Sequence, residues 1–341
     1  MLTTAVETES PSDRPHLLEL VHGYRSTCLI VTALRLGLVD ELGDAPMRES
    51  QLALALGAHL PSLVRLLRGL ASIGLVEHAA DGVRLTAMGR LLRAGDTGIR
   101  ERAILAGEEY LPAWQALRHS VLTGKPAFDH VFGMSAWEHR RRNPELNRCV
   151  NQNMADDQRR AGRAVPAAYD FSRCRRIVDV GGGEGMLIAE ILTAFAAPSA
   201  IVFDQPHVAA GAERVLAAAG VRGRCEIVGG SFFDAVPRGG DTYLLQHILH
   251  DWNDERCATI LANCRAAMDA GGVLLVIENI MPDDAKPDAR LVMLDLHMLT
   301  MLGGSERTRG EYAALLRSSG FEFARATRTR TGSEIIVATA A

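Results

Sequence analysis

The stretch that decides the fold is VDVGGGEG at residues 178–185. It contains the end of the strand segment RRIVDV and the start of the helical pattern EGMLIAEILTAF, so it predicts a strand, a tight turn and a helix. Glycines at 181, 183 and 185 allow a sharp turn and let a ligand approach the backbone closely. The dinucleotide-binding fingerprint would need a further glycine at position 186, where this chain has Met186. The loop therefore favours an adenosyl ligand without a pyrophosphate over NAD.

The segments around this loop predict an α/β fold. Apolar strands alternate with amphipathic helices after Asp170, which indicates a parallel sheet covered on both faces. The last two strand segments, FEFARATRTR and SEIIVATA, are joined only by Thr331-Gly332, so they should pair antiparallel. We therefore expect a Rossmann-like sheet that is mostly parallel and has an antiparallel last strand.

Two acids accompany the glycine loop. Asp179 lies just before it, and Asp204 ends the second strand of the sheet, AIVFD. An acid at the end of that strand can accept hydrogen bonds from both ribose hydroxyls of a nucleoside. The alternative is a tight turn followed by an ordinary helix-capping acid. The glycine loop and Asp204 together favour nucleoside binding.

The stretch HILHDWNDE, residues 247–255, offers two candidate bases. His250 follows the fourth strand at its carboxyl end, where open α/β sheets bind ligands, and its ordinary pKa of ~6.5 suits proton transfer near neutrality. We expect His247 to lie within the strand on the opposite face and to be structural. Glu278 ends the next strand and Glu306 lies in the loop GGSERT. Both acids can reach the same crevice, orient the imidazole and stabilise an imidazolium.

Residues 47–89 predict a winged helix-turn-helix whose short hairpin has Asp81-Gly82 at its tip. This pattern raises the alternative of a DNA-binding regulator. The second helix, however, carries Arg65 and Arg68 among leucines that look like packing residues, and the chain has a net charge of −4. We therefore expect no nucleic-acid partner. The composition, 48% hydrophobic and 23% charged, is that of a globular protein.

Six motifs in order carry a resemblance to a known family: VDVGGGEG, FDQPHV, GGSFFDAVP, HILHDWNDE, LLVIENIMP and GGSERTRGEY. They resemble the S-adenosylmethionine-dependent O-methyltransferases of the plant caffeic acid and chalcone type, whose bacterial relatives act on natural products. The resemblance covers nearly the whole chain. It implies a class I methyltransferase sheet preceded by a mainly helical winged-helix dimerisation domain. The implied domains are a dimerisation domain at 1–95, a helical connector at 96–168 and a cofactor-binding catalytic domain at 169–341.

The resemblance also implies roles for individual residues. His250 matches the catalytic base, and Glu278 and Glu306 match the acids that orient it. The implied cofactor contacts are Gly181, Gly183, Asp204, Ser231, Phe232, Gln246 and Trp252. Ser231 and Gln246 stand where the plant enzymes carry Asp and Lys, and both can offer neutral hydrogen bonds instead. The implied residues of the acceptor pocket are Asn151, Met154 and Met298, of which Asn151 and Met154 should point inward from one helix.

The implied reaction is methyl transfer from S-adenosylmethionine to a hydroxyl of a small natural-product intermediate, with S-adenosylhomocysteine as the other product. A phenolic hydroxyl is favoured, and no metal is expected because the sulfonium already makes the methyl group electrophilic. The alternatives are N- or C-methylation, or a non-methylating reaction in a relative that keeps the fold and the cofactor. Retention of His250, Glu278 and Glu306 favours methyl transfer to oxygen.

The expected partners are an aromatic small-molecule acceptor and a second copy of the chain. The segment MLTTAVETESPSDRP at the N-terminus has neither the basic nor the apolar region of a signal peptide. No uninterrupted apolar stretch approaches the ~20 residues that span a bilayer. We therefore expect a cytoplasmic protein without a membrane partner.

Overall fold

This computed structural model describes residues 12–95, 98–283 and 288–341, with the backbone alone for residues 155–162. Most of the segment that carries the signal-peptide argument, residues 1–11, lies outside the described residues. The chain divides into two compact units, one up to Glu109 and one from Tyr110 onward, and a π-helical turn at Ala106–Tyr110 spans the division. Within the described residues, every helix is too short or too polar to cross a membrane.

The first unit is helical with one hairpin, as the sequence predicts. Its helices are Asp13–His22, Tyr24–Arg35, Leu38–Glu41, Glu49–Ala55, Leu60–Ser72, Ala87–Arg90 and Ile99–Leu105. Strands β1 (Val76–Ala79) and β2 (Gly82–Leu85) pair antiparallel. In helix Leu60–Ser72 the buried residues Leu63, Leu67 and Leu70 recur at helical spacing, so its leucines form a packing face. The predicted helix-turn-helix with a hairpin is confirmed, but the tip of the hairpin is Ala80-Asp81, because Gly82 already pairs with Ala79.

The first helix of this unit presents apolar side chains to the solvent of the single chain. None of the residues of Asp13–His22 is buried. Leu17 is 61% exposed, Leu20 is 64% exposed, and Val21 and Tyr24 are exposed as well. Neighbouring exposed apolar residues at helical spacing are typical of an interface.

The second unit begins with helices and continues with one sheet. The leading helices are Leu111–Gln115, Leu117–Thr123, Ala127–Phe132, Ala136–Arg142, Pro144–Gly162 and Val165–Ala168. The strands are β3 Arg176–Val180, β4 Ser199–Asp204, β5 Cys225–Gly229, β6 Thr242–Gln246, β7 Val273–Glu278, β8 Phe321–Arg328 and β9 Glu334–Ala340. The helices among them are Met186–Ala194, Pro206–Ala209, Ala212–Ala218, Asp254–Ala267, Ala289–Met301 and Arg309–Ser318, with 3-10 turns at Arg222–Arg224 and Leu249–Asp251.

The strands lie in the order β5-β4-β3-β6-β7-β9-β8. Neighbours from β5 to β7 are parallel, whereas β9 runs antiparallel to both β7 and β8. This confirms the mostly parallel sheet with an antiparallel last strand, and it places that strand between two others rather than at the edge. The carboxyl ends of β3, β4, β6 and β7 consequently lie side by side.

The sheet is buried on both faces, which explains its near-continuous apolar strands. Alternate strand residues belong to two separate cores: Val178 and Leu245 to one, Ile177 and Leu244 to the other. Helices Asp254–Ala267 and Arg309–Ser318 contribute to the first core. Helices Met186–Ala194 and Ala212–Ala218 contribute to the second.

Candidate active site

The glycine loop joins β3 to helix Met186–Ala194 through three left-handed residues. Gly181, Gly183 and Gly185 have φ of 75°, 58° and 77°, a region that side-chain-bearing residues rarely adopt. A Cβ at Gly181 would also collide with the side chain of Ile248 and would contact Phe232. The loop therefore needs glycine for its conformation and keeps its backbone accessible.

The second acid of the predicted pair contacts this loop. Asp204 ends β4 and accepts hydrogen bonds from the backbone N–H groups of Gly183 (2.8 Å) and Gln205 (2.6 Å). Burial raises the pKa of Asp204, and the hydrogen bond from Gly183 opposes that rise. The structure thus brings Asp204 to Gly183, and the binding of a ribose by Asp204 stays a prediction.

Asp179 is a further candidate residue, to which the sequence alone assigned no role of its own. It is buried in β3, and its Oδ2 has no hydrogen-bond partner among the described residues. Burial, and then the charge of Asp204, raise the pKa of Asp179 to about 7. Such an oxygen beside a glycine loop fits a ligand that brings a positive charge or a hydrogen-bond donor.

Other predicted cofactor contacts surround the loop. Phe232 and Trp252 meet edge to face at 6.2 Å, and Trp252 stacks on Trp137 at 5.7 Å. Ser231 Oγ accepts a hydrogen bond from the N–H of Phe233 at 3.3 Å. Gln246, the last residue of β6, is buried, and its Nε2 has no hydrogen-bond partner among the described residues. An unpartnered amide at a strand end is available to a ligand, so the residues present fit a nucleoside cofactor.

His250 lies in the 3-10 turn Leu249–Asp251 that follows β6. Its side chain is almost fully buried, and its Nδ1 forms a 2.7 Å hydrogen bond with Glu306 Oε1. We assign the proton of this bond to Nδ1, because a carboxylate is the acceptor. That assignment leaves His250 Nε2 to exchange a proton with a ligand. Nε2 lies 3.4 Å from Asp251 Oδ1.

The carboxylates around His250 govern its protonation. Burial lowers the pKa of His250, but Glu278, Asp251 and Glu306 outweigh burial and raise it to about 10. Burial also raises the pKa of Asp251 to about 6, against the opposing charge of His250. In the ligand-free protein at neutral pH, His250 therefore carries a proton.

Glu278 contacts this loop differently from the expectation that it orients the ring. Its Oε1 accepts backbone N–H groups of Ile248 (3.1 Å), Leu249 (3.0 Å) and His250 (3.4 Å). Burial opposes ionisation of Glu278, but the charge of His250, then the hydrogen bond and charge of His247, and last the N–H of His250 hold its pKa below the ordinary value. Glu306 therefore holds the imidazole directly, and Glu278 holds the backbone of its turn.

The expectation for His247 was wrong in its geometry. β6 ends at Gln246, and His247 has φ of 52° instead of an extended conformation. Because the backbone turns there, the His247 ring lies 5.4 Å from the His250 ring rather than on the opposite face of the sheet. Its Nδ1 is 3.3 Å from Glu278 Oε2.

Arg307 joins the two loops that carry His250 and Glu306, and its role was not anticipated from the sequence. It donates hydrogen bonds to the carbonyl oxygens of Leu249 (2.9 Å) and Trp252 (2.8 Å). The two loops approach so closely that a Cβ at Gly304 would overlap the His250 carbonyl. The sequence signal for Arg307 was its position directly after Glu306, but a single sequence does not distinguish a buried arginine from an exposed one.

The three predicted pocket residues differ in burial. Met298 is buried in helix Ala289–Met301, and Asn151 is half-buried in helix Pro144–Gly162. Met154 is 40% exposed in the single chain. On the same helix the buried atom without a hydrogen-bond partner among the described residues is Asn153 Oδ1. The contribution of these residues to an acceptor pocket stays a prediction.

One group of described residues could bring three ligand atoms to a cation: His247, His250 and Glu278, with those atoms within 4.8 Å of one another. The group already has other partners, since Glu306 bonds His250 Nδ1 and three N–H groups bond Glu278. The expectation that the reaction needs no metal stays a prediction.

Comparison with known proteins gives two family matches. The model of the O-methyltransferase domain matches residues 114–322, and the model of the O-methyltransferase dimerisation domain matches residues 18–95. The phenazine O-methyltransferase PhzM of Lysobacter antibioticus is 42% identical over 94% of this chain and 95% of its own length. The phenazine-1-carboxylate N-methyltransferase of Pseudomonas aeruginosa is 31% identical over 95% of this chain and 96% of its own.

Solved structures agree with these matches. The mitomycin 7-O-methyltransferase MmcR superposes with a TM-score of 0.90 at 34% identity, covering 97% of this chain and 98% of that one. The O-methyltransferase NcsB1, in complex with S-adenosylmethionine and 2-hydroxy-5-methyl naphthoic acid, has a TM-score of 0.82 at 33% identity, covering 93% and 96%. With its sheet, its glycine loop and these matches, the chain belongs to the family of S-adenosylmethionine-dependent O-methyltransferases.

Proposed function

We propose that the protein transfers the methyl group of S-adenosylmethionine to a hydroxyl of a small aromatic natural-product intermediate, with His250 as the general base. The observation that carries this proposal is the 2.7 Å bond between His250 Nδ1 and Glu306 at the carboxyl edge of the sheet. Relatives named for phenazine, puromycin and mitomycin O-methylation support the class of acceptor. The naphthoic acid bound to NcsB1 supports an aromatic one.

The proposed cofactor contacts lie at the carboxyl edge of the sheet. The backbone of Gly181 and Gly183 would lie against the methionine part, and Asp204 would accept hydrogen bonds from the ribose. The remaining proposed contacts are Ser231, Phe232, Gln246 and Trp252. When bound, the cofactor supplies a methyl group that its sulfonium makes electrophilic.

The chemistry of His250 rests on its acidic surroundings. Its Nε2 takes the proton of the acceptor hydroxyl, while Glu306 stabilises the imidazolium through Nδ1–H. Because His250 has a pKa of about 10, an ordinary phenol of pKa ~10 can transfer its proton to it without a large uphill step. The same carboxylates keep His250 protonated at neutral pH, so we expect the rate to rise with pH. A positive charge bound beside the ring lowers the pKa of His250, so the rise in rate begins closer to neutral pH.

Holding the acceptor oxygen in line with the methyl group supplies much of the acceleration in reactions of this kind. We propose that Asn151, Met154 and Met298 line the acceptor pocket. Met298 is buried, and the long apolar side chain of methionine adapts to aromatic ligands of different shape. The identity of the acceptor is decided by such residues.

We propose that the protein acts as a homodimer. The match to a dimerisation domain at residues 18–95 and the exposed apolar residues of helix Asp13–His22 support this. The domain bounds 1–95, 96–168 and 169–341 also stay a proposal. In the sequence, the boundary between the two compact units falls between Glu109 and Tyr110 rather than at residue 95.

Calorimetry with S-adenosylmethionine and S-adenosylhomocysteine tests the cofactor site separately from the base. Wild type should bind both ligands, Asp204→Ala should lose binding, and His250→Ala should keep it. Methyl transfer to a panel of phenols should then be lost in His250→Ala. Glu322→Gln, an exposed change on β8, is the control for an unrelated substitution. Failure of wild type to bind either ligand would remove the basis of the proposal.

A second function, N-methylation, is favoured by one observation, the similarity to the N-methyltransferase of Pseudomonas aeruginosa. A ring nitrogen attacks through a lone pair and needs no base. His250→Ala should therefore keep most of an N-methylating activity and lose an O-methylating one. Mass spectrometry and NMR of the product from an acceptor that carries both groups decide between them.

A further inference from the structure

The backbone at His247 is unusual for the residue that it carries. Of the non-glycine residues in the described ranges, His247 alone has a positive φ, 52°. Its N–H still donates to the carbonyl of Ile277 at 3.0 Å, so the sheet ladder reaches the turn itself. Glycine adopts this conformation without strain, whereas a β-carbon makes it costly. A histidine at this position suggests that its imidazole has a function.

The His247 side chain faces a carboxylate oxygen that lacks another partner. Glu278 Oε1 accepts the three N–H groups of the turn, while its fully buried Oε2 has no hydrogen-bond partner in the described part of the chain. His247 Nδ1 lies 3.3 Å from Oε2, and His250 Nδ1 lies 3.8 Å from it. Two imidazoles therefore flank one buried oxygen.

His250 Nδ1 has a single proton and two carboxylates within reach. Glu306 Oε1 holds it at 2.7 Å, and Glu278 Oε2 is the competing acceptor. A turn of the ring toward Glu278 would swing Nε2 away from the line in which an acceptor hydroxyl has to lie. The position of His250 is therefore defined only while Oε2 is engaged elsewhere.

We propose that His247 is a positioning residue that engages the free oxygen of Glu278, so that Glu306 alone sets the orientation of His250. Its catalytic consequence rests on the proposed role of His250 as base. The strained backbone brings the His247 ring to Glu278. The His247 side chain is 26% exposed, whereas that of Glu278 is fully buried.

Two substitutions separate the side chain from the backbone. His247→Gly keeps the positive φ and removes the imidazole, and it relieves strain, so the melting temperature should stay the same or rise. His247→Asn tolerates a positive φ and offers an amide N–H to Glu278. His78→Asn is the matched control, because His78 has a similar contact, 3.6 Å to Glu49, on the surface of the first unit.

The first measurement needs no acceptor. Proton NMR of the full-length protein should show the His250 Nδ1–H as a downfield resonance, identified by its change in Glu306→Gln. We expect the resonance to persist in His247→Asn and in His78→Asn, and to shift or exchange away in His247→Gly. An unchanged resonance in His247→Gly overturns the proposal.

The second measurement is methyl transfer. We expect His247→Gly to lower kcat about tenfold or more, with less than a twofold change in cofactor Kd, and His247→Asn to recover most of the loss. A fall in kcat together with a lower melting temperature and an unchanged resonance would mean a merely structural role and would refute the proposal. If wild type methylates no acceptor but the resonance responds as expected, the proposed function fails while the positioning by His247 is supported.

Discussion

Replacing Glu306 with glutamine tests the acid–base chemistry most directly. The substitution keeps the shape of the side chain and removes the charge that lies 2.7 Å from His250 Nδ1. Glu278 and Asp251 remain, at 3.8 Å and 3.4 Å from the ring nitrogens. An opposite charge at this range typically changes a pKa by about one to three pH units. The pKa of His250, about 10 in the wild type, should therefore fall by that amount.

Two effects on the rate follow, a gain at lower pH and a loss at high pH. The rate rises with pH as His250 loses its proton, so this rise should begin about one to three pH units earlier in Glu306→Gln. At pH above both pKa values the rate should be lower than in wild type, because a charge-assisted hydrogen bond is replaced by a neutral one. That replacement costs roughly 1–2 kcal/mol, or about five- to thirtyfold in kcat.

The assay is transfer of a labelled methyl group from S-adenosylmethionine to a phenolic acceptor, measured as kcat from pH 6 to about pH 11, so that it extends above the His250 pKa of about 10. Glu322→Gln, an exposed carboxylate on β8, should leave the profile of the wild type unchanged. Calorimetry should give the same cofactor affinity for all three proteins. A Glu306→Gln profile that coincides with wild type, or that moves to higher pH, would refute the reasoning.

Three further predictions concern the cofactor site and the assembly. The pKa of Asp179, about 7, lies above its unfolded value, so its contribution to stability is lost as pH rises through about 7. Asp179→Asn should therefore raise the free energy of unfolding at pH 8, by at most about 4 kcal/mol, and weaken cofactor binding. A lower free energy of unfolding in urea would contradict this. Gly181→Ala should weaken cofactor binding at least tenfold in calorimetry. Gly239→Ala is the control and should bind the cofactor as wild type does, because Gly239 has φ of 86° but no atom within 4 Å of the added carbon. Equal losses of affinity in the two variants would mean that the collision with Ile248 is unimportant. Leu17→Glu with Leu20→Glu should give a monomer mass in light scattering, and an unchanged dimer would exclude helix Asp13–His22 from the interface.

Much of the fold was predictable because its signals are local. The glycine turn, the two hairpins and the alternation of strands with helices each depend on residues that are close in sequence. The position of His250 after a strand could be predicted for the same reason. The strand order β3-β6-β7, which brings Glu278 near His250, was not predicted, because it depends on pairing between strands that are distant in the chain.

The contacts that define the site were not predictable, because each joins groups that are distant in the chain. His250 and Glu306 are 56 residues apart, and nothing in either motif states that Glu306 holds the ring while Glu278 holds the backbone. The left-handed turn at His247 depends on the three N–H groups that converge on Glu278, so a regular strand was the reasonable expectation. The residue types at the site were thus readable from the sequence. Their distances, and with them the pKa of His250, arise only where the strand ends and two loops meet around one buried imidazole.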